Sequence, residues 1–138
     1  MDVLILIGRL LFVPVFLSSG IMAHFVGAKQ GIGYAQSKGV PAPAVAVYGG
    51  GVLLILGGLS VLLGIWPDLG ALLLVVFLVP TALLMHAFWK ESDPQSRYME
   101  QVQFSKDLGL AGASLMLFAL FAQRGEELRY VLVGPLFD

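Results

Sequence analysis

The chain has 138 residues, 58% hydrophobic and 12% charged, with a formal net charge of −1 and no cysteine. Soluble domains run at about 45–50% apolar and about 25% charged residues, so this composition, with a mean hydropathy of +0.89, belongs in a bilayer. It excludes disulfides, thiolate nucleophiles, dithiol relays and cysteine-ligated zinc, and it offers no basic surface for nucleic acid.

A helix needs about 20 mainly apolar residues to cross the hydrocarbon core. Four runs meet that length, over residues 3–25, 44–66, 69–89 and 104–123. They are too long for strands and lack period-2 alternation. The expected fold is therefore all-α, a polytopic membrane protein built as a four-transmembrane-helix bundle. A single domain over 1–138 accounts for the whole chain, with no linker or internal repeat.

The first run is expected to stay as a helix rather than be removed as a signal peptide. It begins Met1-Asp2 without a basic segment, Arg9 interrupts it, and no A-x-A site follows. The first join, "VGAKQGIGYAQSKGVPAP", reads as a loop rich in Gly, Lys, Gln and Pro. The second join is only Pro67-Asp68, which forces the second and third spans to be antiparallel neighbours. The third join, "KESDPQSRYMEQVQ", reads as a charged loop. Both long loops then emerge on one membrane face, and the termini share the other face with the Pro67-Asp68 turn.

The long-loop face holds Lys29, Lys38, Lys90, Arg97 and Lys106, against Arg9, Arg124 and Arg129 on the other. The positive-inside rule places the long loops in the cytoplasm. Pro14 and Pro80 are expected to kink the first and third spans. Two small-residue stripes suit close helix approach: Ser105, Gly109 and Ala113 in the fourth span, and Ser60 and Gly64 in the second. Gly57-Gly58 is not a phosphate loop, because no strand precedes it and it lies mid-membrane.

Sequence order alone gathers polar groups at the long-loop end. The first and third spans end there with His24 and His86; the second and fourth begin there with Tyr48, Gly49, Gly50 and Gly51, and with Lys106 and Asp107. Ionisable residues inside spans are costly and usually face the bundle interior or water with a partner. Adjacent Lys106 and Asp107 point about 100° apart on a helix, so each is expected to find a group on another helix. His86 is expected to face the interior, His24 to be solvated at the interface, and Lys106 either to enter a pocket or to snorkel. Phe88, Trp89 and Trp66 read as interfacial anchors. Two histidines without cysteine or H-x-x-x-H spacing give no metal site. Arg9, about 22 Å from His24 at helical rise, belongs to the opposite side and is expected to snorkel there.

The residues resemble the DoxX family of small four-helix membrane proteins. The first span carries "GRLLFVPVFLSSGIMAHF", the loop carries "SKGVPAP", and the second span carries "LGGLSVLLG". The most specific segment is "HAFWKESDPQSRYMEQVQFSKDLGLAGASLML". There His86, Phe88, Trp89, Phe104 and Lys106 match the family's pattern, and Asp107 stands where Asn is usual. Many relatives have an acidic residue before the second-span glycine pair, where this chain has Leu54.

The resemblance implies a multi-pass protein of the bacterial inner membrane. It implies a link to oxidative or thiol stress, and in some relatives to thiosulfate:quinone oxidoreductase systems. Three functions compete. One is a membrane component of a redox system, with a quinone or lipid-like ligand near His86, Lys106, Asp107, His24, Tyr48, Trp89 and Phe88. The others are a scaffold for soluble partners and a small permease. The expected partners are bilayer lipid and soluble redox proteins, with self-association open; whether any step is catalysed stays open too.

Overall fold

The computed structural model describes residues 1–137, one residue short of the single-domain span of 1–138 expected from the sequence. It is all-α apart from one isolated backbone bridge between Ile65 and Val133. Four helical stretches are long and apolar enough to cross a membrane: Asp2–Val26, Pro43–Leu63, Pro67–Lys90 and Pro94–Arg124.

The first stretch changes character along its length. Helix α1 (Asp2–Phe12) gives way to α2 (Pro14–Ser18), then to a π-helical segment, Ser19–Val26. Pro14 has no N–H to donate, so the α ladder is interrupted beside it. The π register closes where the Gly27 N–H donates to the Met22 carbonyl, five residues back, at 2.7 Å. Single π turns are frequent at functional sites, and this one carries His24.

The first long loop is largely helical: α3 (Ala28–Ser37) occupies most of it. Ala28 and Ala35 are buried, and with Ile32 and Val47 they pack as a small apolar cluster. Their spacing, 28, 32, 35, is a helical stripe that the surrounding Gly, Lys and Gln obscure in the sequence.

Helices α4 (Pro43–Leu63) and α5 (Pro67–Met85) pack closely. A Cβ on Gly57 would lie 2.9 Å from the Gly70 carbonyl, and one on Gly70 would lie 2.2 Å from Ser60 Oγ. Gly58 faces Leu17 of α2. The Gly57-Gly58 pair is thus a packing surface. The turn between these helices is Gly64, Ile65 and Trp66, with Gly64 in the left-handed region at φ 66°. Pro67 and Asp68, expected as the turn, open α5 instead. Proline suits a first helical turn, where its missing N–H would have had no intrahelical partner. Pro80 lies inside α5 without ending it.

A short 3-10 turn, Phe88–Lys90, leads into α6 (Pro94–Arg124). This helix starts ten residues before the apolar run at 104. Asp93 caps it, its carboxylate accepting from the Ser96 N–H at 2.8 Å, and Pro94 occupies the first helical position. Most of the expected charged loop is therefore the first three turns of a long helix. Its buried face is Asp107, Ala111, Ser114 and Phe121. The expected stripe of Ser105, Gly109 and Ala113 points elsewhere: a Cβ on Gly109 or Gly112 would meet nothing within 4 Å. The shared core joins Val13, Phe16, Leu54, Val61, Leu74, Leu78 and Phe121. Leu54, at the place where many relatives carry an acid, is a core residue here.

Candidate functional site

The two ends of the bundle handle polar groups differently. At the turn end, Arg9 is 2% exposed and does not snorkel. Its guanidinium donates to the carbonyls of Val61 at 2.7 Å, Leu62 at 2.5 Å and Tyr130 at 2.8 Å. Two of these are terminal carbonyls of α4, which lack intrahelical donors, and the Phe121 ring lies 6.0 Å from the guanidinium carbon. Asp68, fully buried, accepts from the Leu136 and Phe137 N–H groups at 2.6 to 3.0 Å. The C-terminal tail is further tied by the Leu132 and Val133 N–H groups, both donating to the Gly64 carbonyl.

At the long-loop end the ionisable side chains bind one another. Glu100, on the first turns of α6, is the hub. It accepts from the Tyr34 hydroxyl, lies 3.0 Å from Lys38 Nζ and 2.7 Å from His86 Nδ1. Lys38 also reaches Glu91 at 2.5 Å. The other His86 nitrogen, Nε2, lies 3.7 Å from Asp107, whose side chain is only 6% exposed. Asp107 in turn stands 3.5 Å from Lys106. The result is a chain of groups from the surface helix α3, through His86, to a carboxylate sunk in the fourth span.

Outside the spans the electrostatic consequences are clear. Burial, and then donation to Glu100, pushes the Tyr34 hydroxyl up to about 12. Burial works against the Lys38 ammonium, but its bonds to Glu91 and Glu100 outweigh that and hold its pKa above the ordinary lysine value. The Ser96 N–H holds the Asp93 carboxyl below its usual range.

The structure brings His86, Asp107 and Lys106 together, as their shared depth implies, but not in the expected way. Lys106 is half-exposed and curls back on its own helix, to Gln103 at 2.5 Å and to Asp107. A long flexible side chain can close the 100° between neighbours that a rigid projection could not. Phe88, Trp89 and Phe104 form an aromatic cluster with ring centroids 5.2–5.5 Å apart. Trp89 and Tyr48 are both exposed, and Tyr48 stacks obliquely on Phe25 rather than joining the ionic chain.

His24 stands apart from the ionic chain. Its Nδ1 lies 3.0 Å from the Ser19 carbonyl, and its ring meets Phe77 edge-on at 5.4 Å. It lines a cleft of about 340 Å³ beside α3, α4 and α5, whose walls include Ala35, Ala46, Gly50, Phe77 and Thr81. Met85, next to His86, is also on its wall, whereas Tyr48, Phe88 and Trp89 are not. Among the described residues, no group of three His, Asp or Glu side chains could hold a metal ion.

Sequence reasoning missed Tyr34, Lys38, Glu91 and Glu100. One signal was available. Glu100, Asp107, Ser114 and Phe121 recur every seven residues, about two helical turns. With Asp93-Pro94 read as a helix start, Glu100 falls on the face of Asp107.

Four spanning helices and a helical first loop define a polytopic α-helical membrane protein. The sequence model of the DoxX family matches residues 4–87, more than half of the chain, and the chain belongs to the DoxX family. The match covers the first three spans and reaches His86, while α6 with Glu100 and Asp107 lies beyond it. Neither a curated protein nor a solved structure matches the chain.

Proposed function

We propose that the chain is a membrane component of a redox or oxidative-stress-related system that binds a quinone or similar lipid-soluble ligand at its long-loop end. The observation that carries this reading is the apolar cleft holding His24 at the end where His86, Glu100 and Asp107 form an ionic chain. Ligand sites are mostly apolar concavities with a few placed polar groups, and the cleft has that form. Its about 340 Å³ suits a ring and the first part of a hydrocarbon tail.

The ionic chain stands beside the cleft, with Met85 on the wall next to His86, and we assign to it the protons that a quinone couple takes up. Reduction to the quinol takes up two electrons and two protons; the electrons come from a soluble redox partner. His86 lies between a carboxylate tied to the surface helix and one inside the span. An imidazole accepts a proton at one nitrogen and releases it from the other. Glu100 then links His86 to the loop side and Lys106 balances Asp107, while a proton passing from His86 to Asp107 needs a water or a ring movement to close the 3.7 Å between them. Phe88 and Trp89 anchor the chain at the interface. We assign the protein to the bacterial inner membrane, as one domain with its long loops in the cytoplasm.

The test is titration of the full chain in nanodiscs with a decyl benzoquinone and with its quinol, against empty nanodiscs. Wild type should bind at least one form, and Ala46→Trp, which fills the cleft from an exposed position, should bind neither. No binding by wild type beyond the empty discs overturns the reading and leaves a scaffold as the better one.

A further inference from the structure

The His24 ring is fixed from one side. A carbonyl oxygen only accepts, so the 3.0 Å contact to Ser19 requires the hydrogen to be on Nδ1. In neutral imidazole the other nitrogen, Nε2, is then a bare acceptor. The i to i+5 separation of Ser19 and His24 is that of the π register, so the same local winding sets both the backbone and the tautomer. Phe77 holds the ring edge-on, and the absent side chain of Gly50 gives it room: a Cβ there would lie 3.4 Å from His24 Cδ2.

Nε2 has no hydrogen-bond partner among the described residues. Among the described residues no side-chain nitrogen or oxygen is both buried and unpartnered, so Nε2 is accessible, and the ring lines the cleft. Among the described residues on the walls, Thr81 is the other side chain with a nitrogen or oxygen to offer. Its hydroxyl both donates and accepts, so it does not discriminate between head groups. His24 does: as an acceptor it rewards a donor and leaves a carbonyl or ether oxygen facing a lone pair.

We propose that the cleft selects a hydroxyl-bearing head group on a hydrocarbon chain, a phenol or quinol, over the matching carbonyl or ether, through His24 Nε2. This rests on the cleft being the ligand site, as proposed above, and adds the polarity of the head group. Of a quinone couple, the reduced form is the one held.

The test uses two probes of one shape, para-nonylphenol and its O-methyl ether, which lacks the donor. Each is dialysed to equilibrium against the full chain in nanodiscs, with empty nanodiscs subtracted for partition into lipid. Wild type should bind the phenol about tenfold more tightly than the ether, the worth of one hydrogen bond in a largely apolar site. His24→Phe should bring the phenol down to the ether and leave the ether unchanged. Ala46→Trp should abolish both. Equal affinity for the two probes in wild type, with both lost in Ala46→Trp, overturns the hydroxyl preference and leaves the cleft standing as a ligand site. A phenol preference that survives His24→Phe removes the role given to His24. Binding of neither probe by wild type overturns the cleft and this inference together. The wild-type pair decides the preference even if His24→Phe fails to fold.

Discussion

The two ends of the bundle use charged residues in opposite ways. At the turn end, Arg9 and Asp68 are sealed, and each hydrogen-bonds backbone groups only. At the long-loop end, Tyr34, Lys38, His86, Glu100 and Asp107 face one another, and all but the buried Asp107 remain partly open. Backbone carbonyls and amides do not titrate, so the partners of Arg9 and Asp68 cannot trade protons with them. Side chains bound to side chains can trade protons and partners, which the long-loop end allows. A charge in a span is thus read by its partner's chemistry more than by its depth.

The comparison breaks most severely at Arg9. Arg9→Met leaves the Val61, Leu62 and Tyr130 carbonyls without donors in a buried site. A loss of about 3–5 kcal/mol is expected, seen as a collapse in folded yield and melting temperature in detergent. A melting temperature equal to wild type would mean that the turn end is not held as described. Gly70→Ala comes next. Its Cβ would lie 2.2 Å from Ser60 Oγ and 3.0 Å from the Gly57 carbonyl, so α4 and α5 must part, at about 1–3 kcal/mol. Gly109→Ala is the control: with nothing within 4 Å, it should be neutral or stabilise by up to about 1 kcal/mol.

Glu100→Gln sharpens the other side. It removes the anion shared by Tyr34, Lys38 and His86, and because the isosteric amide still hydrogen-bonds, a loss of about 1–3 kcal/mol is expected. Hydrogen exchange should rise in α3, which depends on this hub, and stay unchanged in the tail bound to Asp68. The pH dependence has the same polarity. Tyr34 goes from an ordinary value of 10.0 to about 12, and Lys38 is also raised. A raised pKa means that the folded state holds the proton more tightly, so this support is complete below pH 10. It fades as the pH climbs from about 10 to about 12. Limited proteolysis across that window should open α3 before the tail; the reverse order would contradict the assignment. Lys106→Ala should change least, by under about 0.5 kcal/mol in thermal melts, since that ammonium is half-exposed.

Much of the site was visible in the sequence as depth but not as direction. His86 and Asp107 could be set at one level by counting from the span ends, and they meet. Lys106 shares their level yet turns back along α6, because a four-carbon stem lets its ammonium follow the nearest partner. Tyr48 also shares the level, and it faces outward on α4. Glu100 was hidden because the helix start at Asp93-Pro94 lies outside the apolar run, and hydropathy marks where lipid is rather than where the helix is. The tail's hold on Asp68 depends on residues 68 positions apart, and no local pattern carries that.

The sequence by itself determined that this is a four-span membrane protein with His24, His86, Lys106 and Asp107 near one end. In hydrocarbon every backbone polar group must be satisfied within the helix, so length and hydropathy leave no other fold for such runs. Only the tertiary structure decided which charges are locked to backbone and which form a titratable chain. It also decided that His24, its Nδ1 held by the Ser19 carbonyl, lines a cleft. Those outcomes depend on helix rotation and on contacts between distant segments, which side-chain geometry sets and span counting does not.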